Sequence, residues 1–131
     1  MTALPPDTVL AWVCVLLGGA VGAVCRFGVV RFVERRSRPT PWATFTVNAL
    51  GSLLLGVLAG LGSTLPGWLG TLAGTGFCGA LTTYSTFGYE TVRLADAGRP
   101  GRARALLNVA ATLGVGLAAA ALGWLLGGAL R

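Results

Sequence analysis

The sequence concentrates hydroxyl-bearing residues in one short stretch near its middle, inside an otherwise apolar region. Residues 76–88 contain three glycines, the aromatic residues Tyr84 and Phe87, and four hydroxyl residues, Thr82, Thr83, Ser85 and Thr86. Because glycine and β-branched threonine are poor at holding an uninterrupted helix, this stretch predicts a helix break. Backbone carbonyls that a break leaves without amide partners are natural ligands for a cation, provided that the break is buried in protein or lines a polar cavity.

Other polar residues lie inside apolar stretches, where an unpaired polar group is costly. Arg26 is expected to extend its guanidinium to a water interface or to cap neighbouring backbone, and Asn48 requires a partner helix, a cavity or an ion. Asn108 and Thr112 lie one helical turn apart and share a face, which favours contacts between helices. Glu90, near the end of the hydroxyl-rich region, is expected to pair with an arginine or to face a vestibule.

The composition indicates the environment that holds these residues. Hydrophobic residues make up 54% of the 131 residues and charged residues only 11%, whereas average globular domains are about 25% charged. The absence of histidine excludes imidazole-based metal sites, proton relays and nucleophile activation. Since the sequence offers neither a nucleophile–base pair nor a metal-ligand cluster, it is not expected to be an enzyme.

Four stretches are long and apolar enough to cross a bilayer, which takes about 20 residues in a helix. They cover approximately residues 8–33, 42–62, 67–95 and 102–128. The connections between them are too short to contain a second domain. The sequence therefore predicts an all-α membrane protein with a single integral membrane domain over residues 1–131. It has four transmembrane helices, and its third helix is broken mid-membrane.

Arginine supplies all the positive charge of the chain, with ten arginines against four acidic residues and no lysine. Eight arginines fall in two clusters: Arg31, Arg35, Arg36 and Arg38, then Arg93, Arg99, Arg102 and Arg104. Because long apolar stretches flank both clusters, they are typical of loops between membrane spans rather than of a nucleic-acid-binding face. The connections after the first and third spans are loop one (Glu34 to Pro41) and loop three (Asp96 to Gly101). The positive-inside rule places loops one and three in the cytoplasm and both termini outside.

Small residues recur four positions apart in every span. The glycine pairs are Gly18 and Gly22, Gly56 and Gly60, Gly70 and Gly74, and Gly123 and Gly127. In lipid, helices associate through close backbone approach at such positions, so these glycines predict helix packing within the chain or between chains. Cys14, Cys25 and Cys78 also lie within spans, where they are expected to pack as small apolar residues rather than to form disulfides or bind metal.

Three motifs carry a resemblance to a known family. They are the run Gly18–Ala23 followed by Arg26 and Phe27, the stretch Val47-Asn48-x-x-Gly51-Ser52, and the string Gly79-x-x-Thr82-Thr83-Tyr84-Ser85-Thr86-Phe87. Together they resemble the Fluc (CrcB) fluoride channels over nearly the whole chain, and the third string is the most specific. The resemblance implies a fluoride-specific channel of the cytoplasmic membrane that lowers cytoplasmic fluoride by passive efflux.

The resemblance also implies an assembly and a set of site residues. The assembly is a two-pore, antiparallel dimer with one structural Na⁺ at its centre, held by the backbone carbonyls of Gly79 and Thr82. Arg26 matches an arginine near the vestibule. The residues that match the anion pore are Asn48, Tyr84, Ser85, Thr86, Phe87, Asn108 and Thr112. Amide and hydroxyl donors and the electropositive edges of aromatic rings suit a strongly hydrated anion that must bind without being trapped.

Two features depart from the family pattern. Tyr84 occupies a position where the family usually has phenylalanine, which places conduction through its pore in question. The arginine bias is the second departure, because a subunit that inserts in both orientations needs nearly balanced loops. The bias favours a heterodimer with an oppositely oriented homologue over a homodimer.

Two alternatives remain beside the channel. A small multidrug-type exporter has a similar length and span number, but it needs a membrane-embedded carboxylate for proton exchange, and the first span has none. A non-conducting partner subunit of a heterodimeric channel, or a scaffold, explains the glycine packing. A scaffold gives no reason for the hydroxyl cluster or for Asn48.

Overall fold

The computed structural model describes residues 6–36 and 41–131, and in these ranges the chain is helical with no strand. Arg38 of the first arginine cluster lies outside the described residues. The α-helices are α1 (Pro6–Arg35), α2 (Pro41–Leu61), α3 (Gly67–Gly70), α4 (Gly79–Leu81), α5 (Tyr84–Ala95) and α6 (Gly98–Ala129). A 3₁₀ turn (Gly62–Thr64) follows α2, and a π-helix (Thr71–Cys78) joins α3 to α4.

Three helical stretches within the described residues are long and apolar enough to cross a membrane: Asp7–Arg35, Pro41–Thr64 and Gly98–Ala129. The prediction of an all-helical protein with several apolar membrane-spanning helices is therefore confirmed. The predicted third span, residues 67–95, is divided among α3, the π-helix, α4 and α5. Its longest straight α-helical piece is α5, with 12 residues, so this region differs in construction from the other three.

Helices α2 and α6 pack through glycines on both sides of their contact. A Cβ atom on Gly56 would collide with the carbonyl oxygen of Ala120, and one on Gly60 would lie 2.9 Å from the amide nitrogen of Gly128. From the other side, a Cβ on Gly123 would lie 2.8 Å from the amide nitrogen of Val57. Backbone therefore meets backbone, as the small-residue pattern predicts for these two pairs.

Helix α1 packs against the π-helix by the same means. A Cβ on Gly18 would lie 2.9 Å from the amide nitrogen of Phe77, and one on Gly22 would collide with the carbonyl oxygen of Phe77. Gly76 faces back toward α1, where an added Cβ would lie 2.8 Å from the carbonyl oxygen of Val15. The remaining predicted pair, Gly70 and Gly74, makes no such approach among the described residues, since Gly70 has open space beside it and the atoms nearest Gly74 are at ordinary contact distance.

The surface of the single chain is largely apolar, and few large side chains are fully buried. Large apolar side chains remain exposed along the two long helices α1 and α6, including Leu16 at 67% and Leu117 at 73%. The fully buried large side chains within the described residues are Val47 and Cys78. Since so much exposed apolar surface on a single chain is unfavourable in water, the exterior is suited to contact with lipid or with another subunit.

Candidate functional site

The chain is extended at Thr82 and Thr83, between the end of α4 and the start of α5. Thr82 has φ −80° and ψ 159°, and Thr83 has φ −149° and ψ 124°. The Thr83 hydroxyl oxygen accepts a hydrogen bond from the amide of Thr86 at 3.3 Å, so Thr83 is the N-cap of α5. Threonine suits this position because its β-branched side chain favours extended backbone and its oxygen satisfies a free amide.

Asn48 of α2 holds this extended segment through backbone atoms alone. Its Nδ2 donates to the carbonyl oxygen of Thr83 at 3.1 Å, and its Oδ1 accepts from the amide of Thr83 at 2.8 Å. We call this pair of hydrogen bonds the Asn48 clamp. The Asn48 side chain was expected to need a partner inside an apolar stretch, and that partner is the backbone of Thr83.

The clamp and the N-cap together free two carbonyl groups. In a continuous helix the amide of Thr83 would donate to the carbonyl of Gly79 and that of Thr86 to the carbonyl of Thr82. Here those amides donate to Asn48 Oδ1 and to the Thr83 hydroxyl instead. The Thr82 carbonyl accepts a long hydrogen bond from the Arg26 guanidinium at 3.4 Å. Arg26 therefore caps backbone, which was one of the two roles expected of it.

A groove opens beside the extended segment, between α2, α5 and α6. We call it the central groove; its volume is about 380 Å³. Its polar lining comes from Asn48, Ser52, Thr82, Thr83 and Thr112, and its aromatic lining from Tyr84 and Phe87. The rest of the lining is apolar and comes from Leu55, Leu113, Gly116, Leu117 and Ala120. The rings of Tyr84 and Phe87 have centroids 6.2 Å apart and are tilted by 49°, and Tyr84 is 85% exposed.

Thr112 supplies the central groove with an unused hydrogen-bonding group. Its hydroxyl oxygen is buried and has no hydrogen-bond partner in the described structure. A buried hydroxyl left without a partner costs stability, and such groups are rare away from ligand sites. The Thr112 hydroxyl is thus free to donate to an occupant of the groove.

The structure does not bring all the predicted pore residues to this groove. The hydroxyls of Ser85 and Thr86 instead lie beside the Thr83 hydroxyl, at 3.4 Å and 3.1 Å. Asn108 lines a second groove, described next, rather than the central one. Ser52 and Thr83 line the central groove although the sequence reasoning did not assign them to it. Thr83 stands between the assigned residues Thr82 and Tyr84, and Ser52 follows Asn48 by one helical turn, which was the available signal.

The second groove, which we call the terminal groove, lies where α2 and α6 begin and α5 ends, and its volume is about 330 Å³. It is lined by Pro41, Trp42, Phe45, Leu94, Arg104, Leu107, Asn108 and Ala111. Asn108 Nδ2 donates to the Thr91 hydroxyl at 3.0 Å, and that hydroxyl donates to the carbonyl of Phe87 at 2.8 Å. The interhelical contact expected of Asn108 is therefore present, between α6 and α5.

Glu90 is buried in the same part of the bundle, with 6% exposure. The Thr44 hydroxyl donates to its Oε1 at 2.9 Å, while its Oε2 is buried without a partner. Of the two roles expected of Glu90, pairing with an arginine is not found within the described residues, where the neighbouring helix α2 presents a threonine to it. Thr44 was missed in the sequence, where it is one more threonine near a predicted helix start.

Comparison with known proteins identifies the family. The family model described as CrcB-like protein, Camphor Resistance (CrcB), matches residues 13–124. Similar proteins include fluoride-specific ion channel FluC 1 of Nocardia farcinica, 51% identical over 82% of this chain and 77% of the relative. Fluoride-specific ion channel FluC 2 of Mycobacterium tuberculosis is 48% identical over 94% of this chain and 95% of the relative. Since the matches extend over most of the sequence, the chain belongs to the CrcB family.

Proposed function

We propose that this protein is a fluoride-specific ion channel that lowers cytoplasmic fluoride by passive efflux. The observation that carries the proposal is the central groove, which combines neutral hydrogen-bond donors with two aromatic rings. Its relatives are named fluoride-specific ion channels, and these names indicate a channel rather than an enzyme.

The lining of the central groove fits a small, strongly hydrated anion. Fluoride must exchange its water for donors, yet a fully charged partner would hold it too tightly for rapid release. Thr112 offers an unused hydroxyl, and the rings of Tyr84 and Phe87 can turn electropositive edges toward the ion. No carboxylate lines this groove among the described residues.

In the proposed channel, residues 67–95 form a third transmembrane segment, which makes four spans in total. The segment is broken at Thr82 and Thr83 near the middle of the bilayer. Extended backbone in hydrocarbon must be satisfied by protein, and the Asn48 clamp supplies two such hydrogen bonds. This is the physical support for placing the break at membrane depth.

We also propose a structural Na⁺ held by the carbonyls of Gly79 and Thr82 at the centre of a dimer. The residues fit a cation because both carbonyls have lost their helical amide partners. The Thr82 carbonyl accepts one long hydrogen bond from Arg26 and keeps a second lone pair for the ion. Gly79 is exposed on the single chain, with open space where a side chain would lie, so a second subunit can pack against this residue. The bound ion would supply fixed positive charge close to the anion path.

The proposed dimer is antiparallel, and loop charge favours a heterodimer with an oppositely oriented homologue. Loops one and three are cytoplasmic in this proposal, and both termini lie outside. Tyr84 gives a second reason for two different subunits. Its hydroxyl can hydrogen-bond across the pore that it lines, so the two pores of the dimer need not conduct alike. Cysteines placed in loop one test the orientation, since labelling from one side only is expected in cells that express this chain alone.

Fluoride efflux from liposomes tests the function. Purified protein, alone and mixed with an oppositely biased homologue, is reconstituted into vesicles loaded with potassium fluoride, and release is followed with a fluoride electrode. Efflux that is absent for potassium chloride is expected in at least one of the two preparations. Absence of fluoride efflux from both would refute the channel, and efflux from the chain alone would refute obligate pairing.

A further inference from the structure

The terminal groove contains one charged side chain, at its rim. Arg104 belongs to the early turns of α6 and is exposed. Within the described residues its guanidinium has no carboxylate partner, because the single ion pair found there joins Arg31 and Glu34. The groove therefore carries an unneutralised positive charge at its opening.

Arg104 begins a stripe of donors along one face of α6. Arg104, Asn108 and Thr112 follow one another at four-residue intervals, so their side chains project from the same side of the helix. Arg104 and Asn108 line the terminal groove, and Thr112 lines the central groove. The stripe thus extends from the terminal groove to the central groove. Its members are, in order, a guanidinium, an amide and a hydroxyl.

The inner members of the stripe carry unused hydrogen-bonding capacity. The Asn108 amide nitrogen has two hydrogens, and one of them is committed to the Thr91 hydroxyl. The Thr112 hydroxyl is buried and unpartnered. Within the described residues, these donors therefore lack a complete set of acceptors.

We infer that the terminal groove is the mouth of the anion path and that Arg104 captures the anion there before it passes to Asn108 and Thr112. The inference rests on the proposed function and adds an entry site and a residue to it. The occupant is a small monovalent anion. Arg104 acts here through its charge and is not assigned to any narrow part of the path.

The surroundings of Arg104 suit capture without trapping. The other lining side chains are apolar except Asn108, and they include Trp42 and Phe45. Low-dielectric walls focus the field of a charge into the groove and raise the local concentration of counter-ions. Because Arg104 is exposed rather than buried in the groove, the attraction stays weak enough for the ion to leave.

The test compares Arg104→Gln with Arg102→Gln. Arg102 lies on the same exposed part of α6, but it does not line the terminal groove. Fluoride flux is measured in neutral phosphatidylcholine vesicles, in the subunit combination that conducts. For Arg104→Gln we expect flux roughly three- to tenfold below wild type at limiting fluoride and low ionic strength. Arg102→Gln should match wild type, and Arg104→Lys should retain most of the flux.

Two further conditions separate charge from structure. Adding about 0.5 M of an impermeant salt shortens the Debye length to a few ångströms and should abolish most of the difference between Arg104→Gln and wild type. Saturating fluoride should also abolish it. A deficit that persists unchanged in high salt would overturn the inference, because it would indicate a structural role for Arg104.

The remaining outcomes are equally distinct. If wild type conducts and the Arg104→Gln and Arg102→Gln variants have equal flux, the inference fails while the proposed function stands. A deficit that appears only when anionic lipid is added would assign Arg104 to a lipid headgroup and overturn the inference. If wild type conducts no fluoride in any combination, the proposed function fails and the inference falls with it.

Discussion

Helix α2 makes two contacts that are held by opposite means. One is its contact with α6, and the other is its contact with the extended segment at Thr82–Thr83. Gly56 and Gly60 bring α2 against α6 with backbone atoms touching. Two turns earlier, Asn48 holds the extended segment through two hydrogen bonds. The glycine contact leaves no space for a side chain, whereas the groove beside the clamp contains the unpartnered hydroxyl of Thr112. One helix therefore combines a rigid scaffold with an open polar site, because its small and polar residues lie in different turns.

The most severe way to break the comparison is to open the glycine contact. Gly56→Leu places a side chain against the carbonyl of Ala120, and we expect it to destabilise the fold by about 3 kcal/mol or more. Monodispersity and the melting temperature in detergent measure the effect. Gly114→Leu is the matched control, since Gly114 on α6 has open space beside it. Equal behaviour of the two variants would show that the glycine contact is not the scaffold.

Converting the clamp to a carboxylate should remove function while sparing the scaffold. Asn48→Asp keeps the acceptor for the Thr83 amide, loses the donor to the Thr83 carbonyl and places negative charge beside the anion. We expect fluoride flux to fall at least about 100-fold, since like-charge contact costs several kcal/mol. Thr46→Val on the same helix is the control, because its hydroxyl bonds only the Trp42 carbonyl. Flux through Asn48→Asp at the wild-type rate would contradict the assignment.

Removing one ring separates aromatic from hydroxyl contributions to the groove. For Phe87→Ile we expect flux through the pore lined by Phe87 to fall by roughly tenfold or more, because an aliphatic side chain offers no electropositive edge. Folding should change little, since the volume is similar. Phe32→Ile, on the exposed face of α1, serves as the reference in the same efflux assay. An unchanged rate in Phe87→Ile would mean that this aromatic position is assigned wrongly.

The smallest expected effect is the most specific, because stability and flux should change in opposite directions. Thr112→Val removes a buried hydroxyl that has no partner, which we expect to raise the free energy of unfolding by about 1 kcal/mol. Flux should nevertheless fall about two- to fivefold, since the path loses a donor. Thermal melts and efflux rates on the same preparation measure both changes. A fall in stability would show that Thr112 has a structural partner.

Several parts of the fold follow from the sequence because single residues carry them. Gly123 and Gly127 identify a packing face of α6 by spacing alone, and long apolar stretches identify the spans. The π-helix at residues 71–78 could not be predicted from single residues in this way. Gly18 and Gly22 of α1 admit the backbone of residues 72–77 closely, and such a contact joins segments that are far apart in the sequence.

The candidate site was predictable in composition but not in arrangement. Asn48 and the hydroxyl cluster are visible as polar residues in apolar stretches. Their partners are not visible, because the clamp engages backbone atoms of Thr83 that every residue possesses. Glu90 shows the same limit: the pairing rule for charges favours an arginine, and the tertiary contact supplies Thr44.

The Asn48 clamp has a consequence for how such a site can change during evolution. Since Asn48 bonds only the amide and carbonyl of residue 83, the clamp does not depend on the side chain at that position. The Thr83 side chain instead contacts the hydroxyls of Ser85 and Thr86. Serine, asparagine or aspartate at position 83 would keep the N-cap oxygen that accepts from the Thr86 amide, so drift among these residues can change the hydroxyl cluster while the chain stays anchored, whereas drift at position 48 has no such freedom. The backbone of residue 83 belongs to the clamp and its side chain belongs to the hydroxyl cluster, so the two can change separately although one residue carries both.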